Sequence, residues 1–152
     1  MPMWRSIVCG VDSRHGSAEA VRLAARLARE QQAALVLLHV EEIAGEAPLA
    51  PPRASAGPAR KVQAADWTGL ASDLRGEPVR TETAFGDPAD TIAEFARNTG
   101  CDLIVVGSHA HSRVTLALAS VAGKLIAHAP CPVIVVPSGM EDWRPDFPGQ
   151  VA

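Results

Sequence analysis

The feature that most constrains the fold is the alternation of short apolar runs with longer segments of helical periodicity. The runs that fit strands are SIVCGV, ALVLLHV, VRTETAF, DLIVVG and CPVIVVP. The segments that fit helices are SAEAVRLAARLAREQQA, ARKVQAADWTGLASDLRG, DPADTIAEFARNTG and SVAGKLIAHA. Because parallel strands need crossover connections, this order predicts an α/β fold with a parallel sheet and helices on both faces.

Local residues indicate where some of these elements begin and end. Ser17 and Asp87 are candidate N-caps, since their side-chain oxygens can accept a hydrogen bond from an unpaired backbone N–H of the first helical turn. Pro88 then occupies the first helical position, and Gly100 ends the same helix. Cys9 lies within the first apolar run and is interpreted as a core residue, not a nucleophile.

Length and composition favour a single cytoplasmic domain. The chain of 152 residues suits one core. Residues 46–59 contain four prolines and read as an exposed connection. We expect one domain over 1–138 and a poorly ordered tail over 139–152. Three cysteines without paired spacing favour a reducing compartment, and no signal peptide is recognised at the start.

Charge and hydropathy exclude two classes of partner. The net charge of −3 argues against nucleic acid as the main partner, because neutralising phosphates needs a basic face. No apolar run approaches the length that spans a bilayer, so we expect no membrane insertion. His109 and His111 form a His-x-His pair, but no third ligand with matching spacing is evident, and we predict no metal site.

Candidate binding residues follow the strands. In a parallel sheet, ligands bind at the carboxyl ends of strands where the strand order reverses, which selects the loops after Val11, Val40 and Gly107. Asp12 could accept hydrogen bonds from ribose hydroxyls or an adenine amine. It could equally satisfy backbone donors in its own turn.

The loop after the fourth run has the character of an anion site. Glycine lets a backbone approach a phosphate, and the N–H groups of Gly107, Ser108 and His109 could bind one. Ser120 could contact a phosphate or simply cap the last helix. Further charged residues could add positive potential, although such residues are more often only solvated: Arg14, His15, His111, Arg113 and Lys124.

Four stretches together resemble the universal stress protein family: IVCGVDSRHGSAEAVRLAARLA, LVLLHV, GDPADTIAEFARNTGCDLIVVGSHAHS and ASVAGKLIAHAPCPVIVVP. The resemblance covers about residues 6–137. It implies a five-stranded, mostly parallel, Rossmann-like sheet of the adenine nucleotide alpha hydrolase type, in a small cytoplasmic stress-response protein. It also implies a homodimer paired through the last strand, whose residues are Pro132, Val133, Ile134, Val135 and Val136. An apolar edge strand left exposed would promote aggregation, so pairing is also physically reasonable.

One branch of that family binds ATP through Gly-x-x-Gly, nine residues, and Gly-Ser or Gly-Thr. Here Gly107 matches the first glycine, Ala110 and Ala119 replace the other two, Ser120 is kept, and eight residues separate the alanines. The binding residues that the resemblance implies are Gly10, Val11, Asp12, Val40, Val106, Gly107, Ser108, His109, Ala110, Ala119, Ser120 and Val121.

The two alanines and the shortened loop predict weakened binding. A left-handed alanine at position 110 costs on the order of 1 kcal/mol, which corresponds to roughly tenfold in affinity or less. We expect a stress-response protein that binds ATP or AMP weakly, with Mg²⁺ held through the phosphates if the ligand is ATP. The alternatives are a dimeric interaction module without nucleotide and a slow ATPase. Nothing in the sequence requires an enzyme, and no catalytic residue is assigned.

Overall fold

The computed structural model describes residues 2–11, 18–41, 79–108 and 121–137. Its strands are β1 (Ser6–Val11), β2 (Ala34–Glu41), β3 (Val79–Phe85), β4 (Leu103–Gly107) and β5 (Val133–Val136). Its helices are α1 (Ala18–Gln31), α2 (Pro88–Thr99) and α3 (Val121–His128). The helix predicted over 59–76, the proline-rich connection and the tail lie outside the described residues.

The strands form one sheet in the order β3-β2-β1-β4-β5, and every neighbouring pair is parallel. The predicted five-stranded α/β fold is confirmed, with a fully parallel sheet where a mostly parallel one was expected. The chain adds β2 and β3 on one side of β1 and then crosses to add β4 and β5 on the other. The strand order therefore reverses between β1 and β4, which is where open α/β sheets bind ligands.

Side chains that alternate along the strands build a separate core on each face of the sheet. Ile7 and Cys9 of β1 pack on the α1 side with the small residues of that helix. Val8 of β1 packs on the other side, with α2 and α3. Cys9 is fully buried, so the prediction that it is a core residue is confirmed, and burial raises the pKa of its thiol to about 12.

The helix α2 begins and ends as its sequence predicts. The backbone N–H of Asp90 donates to Asp87 Oδ1 at 3.1 Å, which makes Asp87 the N-cap, and proline follows it. Gly100 ends the helix with φ 69°, a left-handed conformation in which a Cβ is unfavourable. The N-cap of α1 predicted at Ser17 lies outside the described residues.

A carboxylate fixes the opposite, amino edge of the sheet. Asp102 Oδ2 accepts the N–H of Arg5 at 2.9 Å, and Oδ1 accepts the N–H of Ser6 at 3.1 Å. The backbone N–H of Asp102 donates to Ser6 O at 2.9 Å. These bonds hold the first residues of β1 and β4 together, so both strands reach the carboxyl edge in a fixed register.

In the part of the chain described by the structure, no helix combines the length and apolar character needed to cross a membrane.

Candidate functional site

The candidate site lies at the carboxyl ends of β1 and β4, which are adjacent strands. Gly10 of β1 is paired with Val106 of β4 in the parallel register. Val11, the last residue of β1, is paired with His39 of β2. The sheet thereby brings together strand ends that are far apart in the chain, and Asp12 and Ser108 follow these ends directly in the sequence.

The predicted binding residues fall into two groups. Those placed by the structure are Gly10, Val11, Val40, Val106, Gly107, Ser108 and Val121. Those outside the described residues are Asp12, His109, Ala110, Ala119 and Ser120. The placed residues lie at or next to the carboxyl ends of β1, β2 and β4 or at the start of α3.

The two faces of the sheet contribute different members of the placed group. Val11 belongs to the core on the α1 side. Val106 is buried in the core on the α2 and α3 side, and Val40 and Val121 pack against that same core. Apolar residues of both faces of the sheet therefore end at or next to the carboxyl edge.

Gly10 has a packing role that its sequence position did not reveal. A Cβ built on Gly10 would lie 2.8 Å from Ile92 Cδ1 and 3.1 Å from Val106 Cγ1. Glycine thus allows α2 to approach the sheet closely at the point where the strand order reverses. The structure gives Gly10 this role independently of any ligand.

We expect Gly10→Ala to lower the free energy of unfolding by about 1–3 kcal/mol, because the added methyl overpacks a buried contact. Urea denaturation measures the change. Ile92→Val removes the Cδ1 atom that the new methyl meets. The double variant should therefore be more stable than the sum of the two single effects predicts. Strict additivity would contradict the assigned contact.

The backbone N–H of Ser108 is already used within the sheet. It donates to Val136 O of β5 at 2.8 Å. The sequence predicted that the backbone N–H groups of residues 107–109 could bind a phosphate. For Ser108 this prediction does not hold, since its N–H points toward β5 and is already hydrogen-bonded there. A contact between Ser108 and an anion would have to use the side-chain hydroxyl.

An ion pair joins α2 and α3 beside this edge. Lys124 Nζ in the first turn of α3 donates to Asp87 Oδ2 at 3.0 Å. Partial burial raises the pKa of Asp87, but the hydrogen bonds from Lys124 and from the N–H groups of Asp90 and Ala89, with the charge of Lys124, outweigh it. The pKa of Asp87 therefore lies below its usual value, and the carboxylate is ionised at neutral pH.

The sequence alone did not identify this pair. In the sequence Lys124 is one of several charged residues that could add positive potential near the site or could only be solvated, and Asp87 is a helix cap. The residues are 37 positions apart, so no helical or strand periodicity connects them. Only the packing of α2 beside α3 brings them into contact.

Comparison with known proteins assigns a family to this fold. The family model described as the universal stress protein family matches residues 3–137. The universal stress protein YxiE of Bacillus subtilis is 30% identical over 163 residues, covering 88% of this chain and 99% of that protein. The universal stress protein MJ0531 of Methanocaldococcus jannaschii is 42% identical over 62 residues, which is 40% of this chain and only 36% of that protein.

Solved structures show the same architecture. A universal stress protein crystallised in complex with cAMP superimposes with a TM-score of 0.65 at 22% identity. The match covers 88% of this chain and 96% of that one. At this identity the likeness concerns the fold, which is the parallel Rossmann-like sheet described above.

Proposed function

The chain belongs to the universal stress protein family, and we propose that it is a stress-response protein that binds ATP or AMP at the carboxyl ends of β1 and β4. The observation that carries the proposal is the strand order, which reverses between these two strands. Such a reversal leaves a crevice between crossover connections that diverge to either side. The ends of β1 and β4 border that crevice.

The chemistry of the residues around the crevice suits an adenine nucleotide. Val11 and Val40 would supply apolar surface for the base, and the carboxylate of Asp12 would accept hydrogen bonds from the ribose or the adenine amine. The phosphates would lie over 107–110 and near Ser120, and they would hold Mg²⁺ if the ligand is ATP. The structure in complex with cAMP supports an adenine nucleotide as ligand for a protein of this fold.

Isothermal titration with ATP and AMP, each with and without Mg²⁺, tests this proposal. We expect saturable binding, and Asp12→Ala and Ser120→Ala should each raise the Kd about tenfold or more, because each removes a hydrogen bond that involves a charged partner. Glu94→Ala, on the exposed part of α2, is the control and should leave the Kd unchanged.

Two results would contradict the proposal. One is the lack of any heat or thermal shift at millimolar nucleotide, which would favour a ligand-free interaction module. The other is binding that Asp12→Ala and Ser120→Ala leave unchanged, which would place the nucleotide elsewhere.

We also propose that two copies of the chain pair through β5. This strand lies at the edge of the sheet, and Val133, Ile134 and Val135 are half-buried in the single chain. An apolar edge strand is a template for pairing with another chain. The β5 strand of an identical partner, related by a twofold axis, would pair with the outward backbone groups of β5, and neither copy of β5 would then remain an exposed edge.

A further inference from the structure

We propose that Lys124 is a specificity-determining residue for the terminal phosphates of the nucleotide, and that phosphate binding exchanges its Asp87 partner for a phosphate oxygen. This inference rests on the proposed function, since it assigns a further residue to the same site. The inference predicts that the contribution of Lys124 to affinity rises with the negative charge of the ligand, from adenosine to AMP to ATP.

The position of the ion pair relates it to the candidate site. Asp87 caps α2, which begins where β3 has ended, and Lys124 lies in the first turn of α3, which begins at Val121. In a parallel sheet, helices that follow strands begin at the carboxyl edge. The pair therefore lies at the same edge as the ends of β1 and β4, on the face that α2 and α3 cover.

The direction of the lysine side chain favours contact with a ligand at this edge. Side chains on an α-helix lean toward its amino terminus and cover the preceding turn. By this rule Lys124 leans toward the turn that opens α3, and Ser120 directly precedes that turn in the sequence. A lysine ammonium is a mobile point charge with three donors, which suits a phosphate group that carries several acceptors.

The electrostatics of α3 also favour an anion near Lys124. A cation in the first turn of a helix is unfavourable, because the helix dipole is positive there. The first turn of α3 contains no acidic residue, so Asp87, from another helix, supplies the neighbouring negative charge. A phosphate would interact favourably both with the positive charge of Lys124 and with the positive end of the α3 dipole.

The ion pair can open at little cost. The side chains of Lys124 and Asp87 are 46% and 40% exposed, and exposed ion pairs contribute little net stability. After exchange, Asp87 would keep the N–H of Asp90, with which it caps α2. Its carboxylate would therefore stay satisfied, and the exchange would leave no buried charge unpaired.

Titration of three variants with adenosine, AMP and ATP tests the proposal. Lys124→Met should weaken ATP binding about five- to tenfold, AMP less, and adenosine not at all, since the lost interaction grows with phosphate charge. Asp87→Asn keeps an N-cap residue but removes the charge that neutralises Lys124. It should therefore strengthen ATP binding about two- to fivefold.

The chain offers a closely matched control in Arg26 and Glu30 of α1. This ion pair also has a distance of 3.0 Å, and its side chains are 38% and 45% exposed. It lies on α1, which covers the opposite face of the sheet. Arg26→Met removes one positive charge without touching the candidate site and should leave all three affinities unchanged.

The outcomes separate this inference from the proposed function. If the wild type binds none of the three ligands, both fail. If the wild type binds ATP and Lys124→Met binds it equally well, only this inference fails. Equal losses for adenosine and ATP in Lys124→Met would show a purely structural role. Weaker ATP binding in Asp87→Asn would show that the pair only braces α2 against α3, and it too would overturn the exchange.

Discussion

Replacement of Val135 by proline is expected to yield a folded monomer in place of the proposed dimer. Ile104 N donates to Pro132 O at 3.0 Å and Ser108 N to Val136 O at 2.8 Å, so alternate residues of β5 face β4. The N–H and the C=O of one strand residue point to the same side of the strand. Since Val136 faces β4, the N–H and C=O of the preceding residue, Val135, point away from β4 and out of the sheet edge. Proline at this position removes an outward donor and leaves the internal ladder intact.

Sedimentation at micromolar concentration measures the effect. The wild type should sediment as two copies of the 15.9 kDa chain and Val135→Pro as one, with dimer affinity reduced on the order of 100-fold by two symmetric losses. Val135→Thr is the control, because it keeps the N–H and the branched shape. A wild type that sediments as a monomer would refute the dimer, and a dimeric Val135→Pro with native circular dichroism would place the interface elsewhere.

Leu125→Ala is expected to cost about 2–5 kcal/mol of unfolding free energy, because Leu125 is fully buried (0% exposed) in the core between the sheet and its helices. The helix α3 has eight residues, too few to be stable without tertiary contacts. Leu125 and Ala122 are its buried residues. Loss of Leu125 should therefore loosen α3 as a whole and weaken nucleotide binding with it.

The neighbouring residue is the control for this change. Ile126 is 68% exposed, so Ile126→Ala should change stability by no more than about 0.5 kcal/mol. Urea denaturation of both variants at one protein concentration gives the comparison. Equal costs for the two substitutions would contradict the described orientation of α3.

Much of the fold could be predicted because its signals are local. The alternation of apolar runs and helical segments predicted a parallel sheet, and the order of the strands along the chain matches the prediction. Asp87, Pro88 and Gly100 marked both ends of α2, since capping depends on residues a few positions apart. The strand over 79–85 was predicted with its observed bounds.

The candidate site was predictable only in outline. The rule for parallel sheets selected the carboxyl ends of β1, β2 and β4, and the structure places the ends of β1 and β4 side by side. The sequence could not show that the backbone N–H of Ser108 donates to Val136 O, because that hydrogen bond depends on which strand lies beside β4. The sequence shows which residue types lie at the site, but it does not show which of their hydrogen-bond donors are already used within the sheet.

The sequence by itself determined the periodicity of the described elements, the caps of α2 and the family to which the chain belongs. Tertiary structure alone decided that a side chain at Gly10 would crowd Ile92, and that Lys124 pairs with Asp87. The physical reason is the same in both cases. Periodicity and capping arise within a few residues of chain, whereas these contacts join elements that meet only after crossovers have stacked α2 and α3 on one face of the sheet.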